Sequence, residues 1–199
     1  MNEHVAPKGF QPSQSRPLQC ERRRFTADEL QAMGLAGVIG PEERVELIDG
    51  EIIAMAAKGA RHEDLRNELS VFWARRLPPE LRFAEEPAFR LDAHTEPEPD
   101  IIIFPDRLRT SEVRGDTVLL VVEVSDSSLS YDLMVKAPKY ARFGVRDYWV
   151  VDATTYETHV HRGPGPDGYG DVTVFSMNDV LTPLLVPELT VRLGDLRLG

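Results

Sequence analysis

The sequence predicts an α+β domain, α/β-like in its layering, with a mixed central β-sheet flanked by helices. Two runs, Ile101 to Phe104 and Val118 to Val122, are apolar throughout and read as central strands buried on both faces. A stretch from His62 to Leu77 reads as a helix lying on that sheet, because Leu65, Leu69, Phe72, Trp73 and Leu77 recur at helical spacing. No internal repeat or linker divides the 199 residues, so the expected organisation is a tail over 1–24 followed by one domain over 25–199.

The elements follow in order. Pro7, Gly9, Pro12, Ser13, Ser15 and Pro17, with few apolar side chains among them, give the loose tail. Thr26-Ala27-Asp28-Glu29 is a capping box that opens a short helix ending near Gly34. Val45 to Met55 holds two β runs around Asp49-Gly50, a hairpin signal. After the 62–77 helix, Phe83, Pro87, Phe89 and Leu91 alternate, which predicts a strand over 81–91. Twelve residues of loop chemistry, Pro105 to Asp116, join the two central strands; they are too few and too polar for a helical crossover, so that pair should be antiparallel. A polar turn over 125–130 leads into a helix from about Tyr131 to Phe143, which Pro138 should kink and Gly144 should end. Tyr148 to Val151 resumes the sheet, and 158–162 with 169–175 form a peripheral hairpin. The loosely alternating segment 184–198 is expected as an edge strand.

Two carboxylates break this pattern where folding has no use for them. Asp100 opens the first central strand and Glu123 closes the second, so antiparallel pairing sets them side by side at one sheet end. Such a pair suits a hard divalent cation, Mg²⁺ or Mn²⁺, which takes few protein oxygens. The ordinary alternative is a strand-entry aspartate after Pro99 and a glutamate paired with an arginine. Asp132, Lys136 and Tyr140 fall on one face of the following helix, near the carboxylates; an exposed Asp-Lys pair would have the same spacing. Glu46 is either a third carboxylate of the site or an outward-facing strand residue. His62 either approaches the cleft as a proton shuttle or phosphate contact, or faces solvent at a helix start. His159 and His161, lacking a third ligand nearby, read as surface residues.

The formal net charge of −10 argues against wholesale electrostatic binding to nucleic acid. The cations, however, are 19 Arg to 4 Lys, clustered at Arg22-Arg23-Arg24, Arg75-Arg76 and Arg107/Arg109/Arg114, and a local basic rim is all that an acidic metal cleft needs. The lone Cys20 allows no intrachain disulfide, and with no long apolar run the chain reads as a soluble cytoplasmic protein without a membrane partner.

Pro99-Asp100, Val122-Glu123-Val124-Ser125, Asp132-x-x-x-Lys136-x-x-x-Tyr140-Ala141 and Gly144-Val145-Arg146-Asp147-Tyr148-Trp149-Val150-Val151-Asp152 together resemble the Uma-two family, a branch of the PD-(D/E)XK nuclease superfamily. Glu46-Leu47-Ile48-Asp49-Gly50-Glu51 and His62 fit its N-terminal half. The resemblance implies a restriction-endonuclease-like fold, Asp100 and Glu123 as Mg²⁺ ligands, and the main-chain carbonyl of Val124 as a third. Where the superfamily has a lysine two residues after the acid, this chain has Ser125, and the resembled family implies that Lys136 replaces it. The implied activity is a Mg²⁺-dependent endonuclease that hydrolyses phosphodiester bonds of nucleic acid, DNA in the first instance. The alternative is a catalytically inactive nuclease-fold module that binds nucleic acid or a partner. A homodimer is expected, since two-fold symmetry would let two clefts face two strands.

Overall fold

The structure, a computed structural model, describes residues 22–198. Residues 1–21, and with them Cys20 and most of the expected tail, lie outside the described residues. Helix α1 (Ala27–Leu35) starts where the sequence puts it, with Thr26 Oγ1 accepting from Glu29 N–H while Glu29 accepts from Thr26 N–H. Strands β1 (Val45–Ile48) and β2 (Glu51–Ala54) form the expected hairpin. Asp49 and Gly50 both have positive φ, 51° and 83°, the geometry that makes Asp-Gly a hairpin signal. A reciprocal pair of backbone hydrogen bonds between Leu47 and Glu96 ties this hairpin to the approach to the main sheet.

The main sheet has six strands in sequence order: β3 (Leu81–Glu85), β4 (Ile101–Pro105), β5 (Leu120–Ser125), β6 (Asp147–Asp152), β7 (Thr158–Gly165) and β8 (Gly168–Phe175). It is mixed: β5 and β6 are parallel, and every other neighbouring pair is antiparallel. The one parallel step requires a crossover. That crossover is α3 (Leu129–Tyr131), a π-helical turn (Asp132–Lys136) and α4 (Ala137–Arg142), wound as one continuous rod. Pro138 sits in the first turn of α4, where it has no N–H to give, and the widened π turn just before it relieves the clash of the proline ring with the preceding carbonyls. The expected disturbance at Pro138 is therefore a π turn.

Alternation in β4 shows why its residues are all apolar. Ile101 and Ile103 face a cluster with Trp73 of α2 (Ala60–Ala74), Leu120, Val122 and Trp149, while Ile102 and Phe104 face a second cluster with Tyr140, Val145 and Tyr148. Each such side chain contributes about 1.5–3 kcal/mol by leaving water, so covering both faces dominates the stability of the sheet. Among the described residues no helix is long and apolar enough to cross a membrane.

Two expected strands are corrected. The 81–91 strand stops at Glu85, because Glu86 adopts φ +49° and turns the chain out of the pleat. The C-terminal segment makes no edge strand. It pairs only through a single bridge, Leu181 with Val191, and winds through short 3-10 turns that deliver Leu189, Val191 and Leu193 to the Trp73 cluster. Trp73 Nε1 donates to Leu189 O at 2.8 Å, so the segment is held by packing and side-chain bonds instead of a ladder.

Candidate active site

Antiparallel pairing of Ile101 with Val122 brings Asp100, just before β4, alongside Glu123 in β5. Both are buried, and both line one cavity of about 150 Å³ at that sheet end. Asp100 is fixed from three sides. Its Oδ2 accepts the Val124 N–H at 2.7 Å, Lys58 Nζ lies 2.6 Å from Oδ1, and His62 Nε2 lies 3.1 Å away. The His62 bond follows from α2, whose first turn points the ring at the strand end; the histidine is buried, which removes the solvent-facing alternative.

Lys136 reaches the same cavity from the π turn. Its ammonium lies 2.7 Å from Glu46 Oε1, 3.0 Å from Glu123 Oε1 and 3.6 Å from Asp132 Oδ1, with only 2 % of the residue exposed. Tyr140, one turn further on, donates its hydroxyl to Glu123 Oε1 at 3.0 Å. Glu46 is buried in β1, and its Oε1 also accepts the Glu98 N–H at 3.0 Å, so it faces into the fold. Ser125 donates to Asp132 Oδ2 at 2.7 Å, as does Ser128. The residue two positions after Glu123 thus pins the crossover helix to the end of β5.

Charge in this cluster is unbalanced. The cavity is lined by six carboxylates, Glu46, Glu98, Asp100, Glu123, Asp126 and Asp132, against three cations, Arg44, Lys58 and Lys136, together with His62. Burial pushes the Glu123 carboxyl well above the usual carboxylate range; Lys136 pulls against this, while Asp132, Asp100 and Glu46 add to the rise. Burial also raises Asp132. At Asp100 burial is outweighed by the His62 bond and charge and by Lys58, which together hold its carboxyl down to about 2. Burial alone would lower Lys136, yet the surrounding Glu123, Glu46 and Asp132 carboxylates hold it well above an ordinary lysine. Lys136 is therefore favoured in its charged form, placed to donate and to stabilise negative charge.

The donor chemistry fits a hard divalent cation. Glu123 Oε1 accepts both Lys136 and Tyr140, which leaves Oε2 without a hydrogen-bond donor among the described residues. Among the described residues no group of three or more His, Cys, Asp or Glu is arranged to hold a metal. Two carboxylates backed by an excess of negative charge are the complement that Mg²⁺, which keeps much of its own water, uses.

The fold thus brings together Asp100, Glu123, Val124, Lys136, Glu46 and His62. It does not bring in His159 or His161; His161 is buried and packed at a tilt against Tyr148 and Tyr169, ring centroids 5.3 and 5.5 Å away, so it is a core residue and not the surface residue expected. One contributor escaped the sequence, and the setting of a second was hidden in it. Lys58 lies in the irregular stretch between β2 and α2, where no periodicity marks it. Asp132 was visible only as a helical partner of Lys136, and its burial and two serine donors come from tertiary packing.

A model of the Uma2 family, described as "Putative restriction endonuclease", matches residues 27–194. None of the curated proteins compared with the chain matches it. Among solved structures, a "putative nuclease belonging to DUF820" from Anabaena variabilis superposes with a TM-score of 0.67 at 18% identity, over 86% of this chain and 96% of that one. At that identity the likeness speaks to the fold.

Proposed function

The chain belongs to the Uma2 putative restriction endonuclease family, and from that premise we propose that it is a Mg²⁺-dependent (or Mn²⁺-dependent) endonuclease that hydrolyses phosphodiester bonds of nucleic acid, DNA in the first instance. One observation carries the reading: Asp100 just before β4, Glu123 in β5 and Lys136 in the π turn converge on one cavity that holds more carboxylates than cations. Asp100, Glu123 and the Val124 carbonyl would hold the metal. When bound, it supplies Lewis-acid charge to a phosphodiester and screens the charge developing on it. Lys136, held cationic by three carboxylates, orients the attacking water and stabilises the pentavalent phosphorus centre by hydrogen bonding. Glu46 and Tyr140 fix the ammonium and the Glu123 carboxylate, so their part is positioning. His62 holds Asp100, and the burial of that pair favours a positioning role over proton shuttling.

A second reading, a catalytically inactive nuclease-fold module that binds nucleic acid or a partner, is favoured by Ser125, which occupies the usual lysine position and is engaged with Asp132. Incubating the purified protein with single- and double-stranded DNA and RNA in Mg²⁺, Mn²⁺ or EDTA separates the two. Cleavage that requires the metal and is lost in both Asp100→Asn and Glu123→Gln supports the enzyme. Binding without cleavage, in a protein that loads metal, supports the module.

A further inference from the structure

Lys58 belongs to no part of the proposed chemistry, yet its side chain is only 13% exposed and its ammonium is lodged in the cavity. It bridges two carboxylates, 2.6 Å from Asp100 Oδ1 and 2.9 Å from Glu86 Oε1. Both supports are built in. Glu86 is the residue in the left-handed region that ends β3, its N–H donates to Asp100 O at 3.1 Å, and Arg66 binds the same carboxylate oxygen, Oε1, that Lys58 reaches. The backbone carrying Lys58 is also confined, since a Cβ on the neighbouring Gly59 would meet Asp126 Oδ2 at 2.7 Å.

The two oxygens of Asp100 are not equally available. Oδ2 accepts the Val124 N–H, a backbone donor fixed in the middle of the sheet. Oδ1 is met by side chains alone, Lys58 and the shared His62 Nε2. A cation approaching Asp100 therefore takes Oδ1, and a divalent ion coordinated there would stand against the ammonium 2.6 Å from the same oxygen, a repulsion that favours moving the ammonium away. The ammonium already has a second acceptor in Glu86, a move of one side chain away.

We propose that Lys58 is the resident cation of the Asp100 seat: it holds Oδ1 while no metal is bound, and a divalent cation enters by displacing it onto Glu86. This rests on Asp100 being a metal ligand, as proposed above. The consequence is that metal affinity is set by competition with an internal lysine. The excess of carboxylates then does not collapse the empty site, nor does it trap the metal too tightly to exchange.

The test is Mn²⁺ binding by isothermal titration calorimetry, on the full chain, for wild type, Lys58→Met, Lys58→Arg, Arg44→Met and Asp100→Asn, each checked for a native circular dichroism spectrum. Lys58→Met should bind Mn²⁺ tighter, on the order of tenfold, because the competitor is gone. Lys58→Arg keeps a cation on the seat and should stay near wild type. Arg44→Met removes an equal charge from the same cavity, one that pairs with Glu98 at 3.1 Å and reaches Glu86 Oε2 only at 4.0 Å without touching Asp100, and it should shift affinity by no more than about threefold. Equal tightening in Lys58→Met and Arg44→Met would mean only a through-space charge effect and would overturn the displacement. Unchanged or weaker binding in Lys58→Met, with binding lost in Asp100→Asn, would overturn it while leaving the metal site standing. Binding indifferent to Asp100→Asn would overturn both. If Lys58→Met fails to fold, Lys58→Gln carries the same expectation.

Discussion

Lys136 donates to Glu123 across 3.0 Å from a π turn in the crossover helix, thirteen residues beyond it in the chain. The wider turn rotates Lys136 and Tyr140 onto the same carboxylate oxygen, and Ser125, where the superfamily pattern has its lysine, is occupied with Asp132. The ammonium is thus supplied to the acid by tertiary packing and not by the next residue outward along the strand.

Metal binding should stabilise the protein. The carboxylates of Asp100 and Glu123 repel each other while empty, and a ligand that binds only the folded state adds stability in proportion to the logarithm of its concentration over its Kd. Thermal melts in Mg²⁺ or Mn²⁺ should rise with metal concentration and return with EDTA. A melting temperature indifferent to both metals in wild type and Lys58→Met would count against the site.

Asp147 should be a structural anchor with no part in cleavage. It is fully buried and accepts from Trp149 Nε1 at 3.0 Å, Arg162 Nε at 3.0 Å and the Leu184 N–H at 2.6 Å, which ties the C-terminal segment to β6. Asp147→Ala strands those donors and should cost roughly 2–3 kcal/mol, less than a fully buried pair because Arg162 retains some solvent. Urea unfolding would read the loss. A variant as stable as wild type would show that the segment is held by its apolar contacts alone.

The sequence showed these strands and this helix order because buried β runs and capping signals are local. Spacing puts Asp100 beside Glu123, since pairing two antiparallel strands fixes which residues share an end, whereas for Lys136 spacing allows an exposed Asp-Lys pair equally well and the family resemblance is what points it to the acid. The sequence missed the stop at Glu86, which rests on one positive φ that an acidic residue does not advertise. The irregular C-terminal segment was equally hidden, because Leu189, Val191 and Leu193 alternate like a strand while their backbone curls to follow the Trp73 cluster. Lys58 could not be seen either: what makes it part of the site is the distance to Asp100, forty-two residues on.

His161 makes stability depend on pH. Burial lowers its pKa, so the unfolded chain takes up the proton more readily than the folded one. The stabilisation is complete above the ordinary histidine range near 6.5 and is lost as pH falls through the depressed folded value. His161→Phe, which keeps an aromatic ring packed against Tyr148 and Tyr169, should flatten the fall in melting temperature between about pH 7 and pH 5. An unchanged slope would assign the acid sensitivity to other groups.

A homodimer is expected, because a two-fold axis would let two acidic clefts address the two strands of a duplex. Sedimentation equilibrium should give twice the 22.4 kDa chain mass at micromolar concentration. A monomer across that range would reject the arrangement.

Lys136 separates catalysis from architecture most sharply. Spacing alone suggests that Lys136→Ala should spare the fold, but the ammonium neutralises Glu46, Glu123 and Asp132 in a pocket almost closed to solvent. Removing it leaves buried carboxylates unpaired, at a cost of about 3–5 kcal/mol. Lys136→Ala should therefore lose cleavage and also melt early, and part of the stability should return at low pH, where the raised Glu123 and Asp132 carboxyls take up protons and no longer need a cation. Lys136→Met, closer in volume, should recover more stability than alanine and no cleavage. Lys136→Arg keeps the charge, but its planar fork cannot take the compact ammonium's place among three converging carboxylates, so it should restore stability better than rate. Cleavage at the wild-type rate by a folded Lys136→Met protein would remove Lys136 from the chemistry and leave it a purely structural counter-ion.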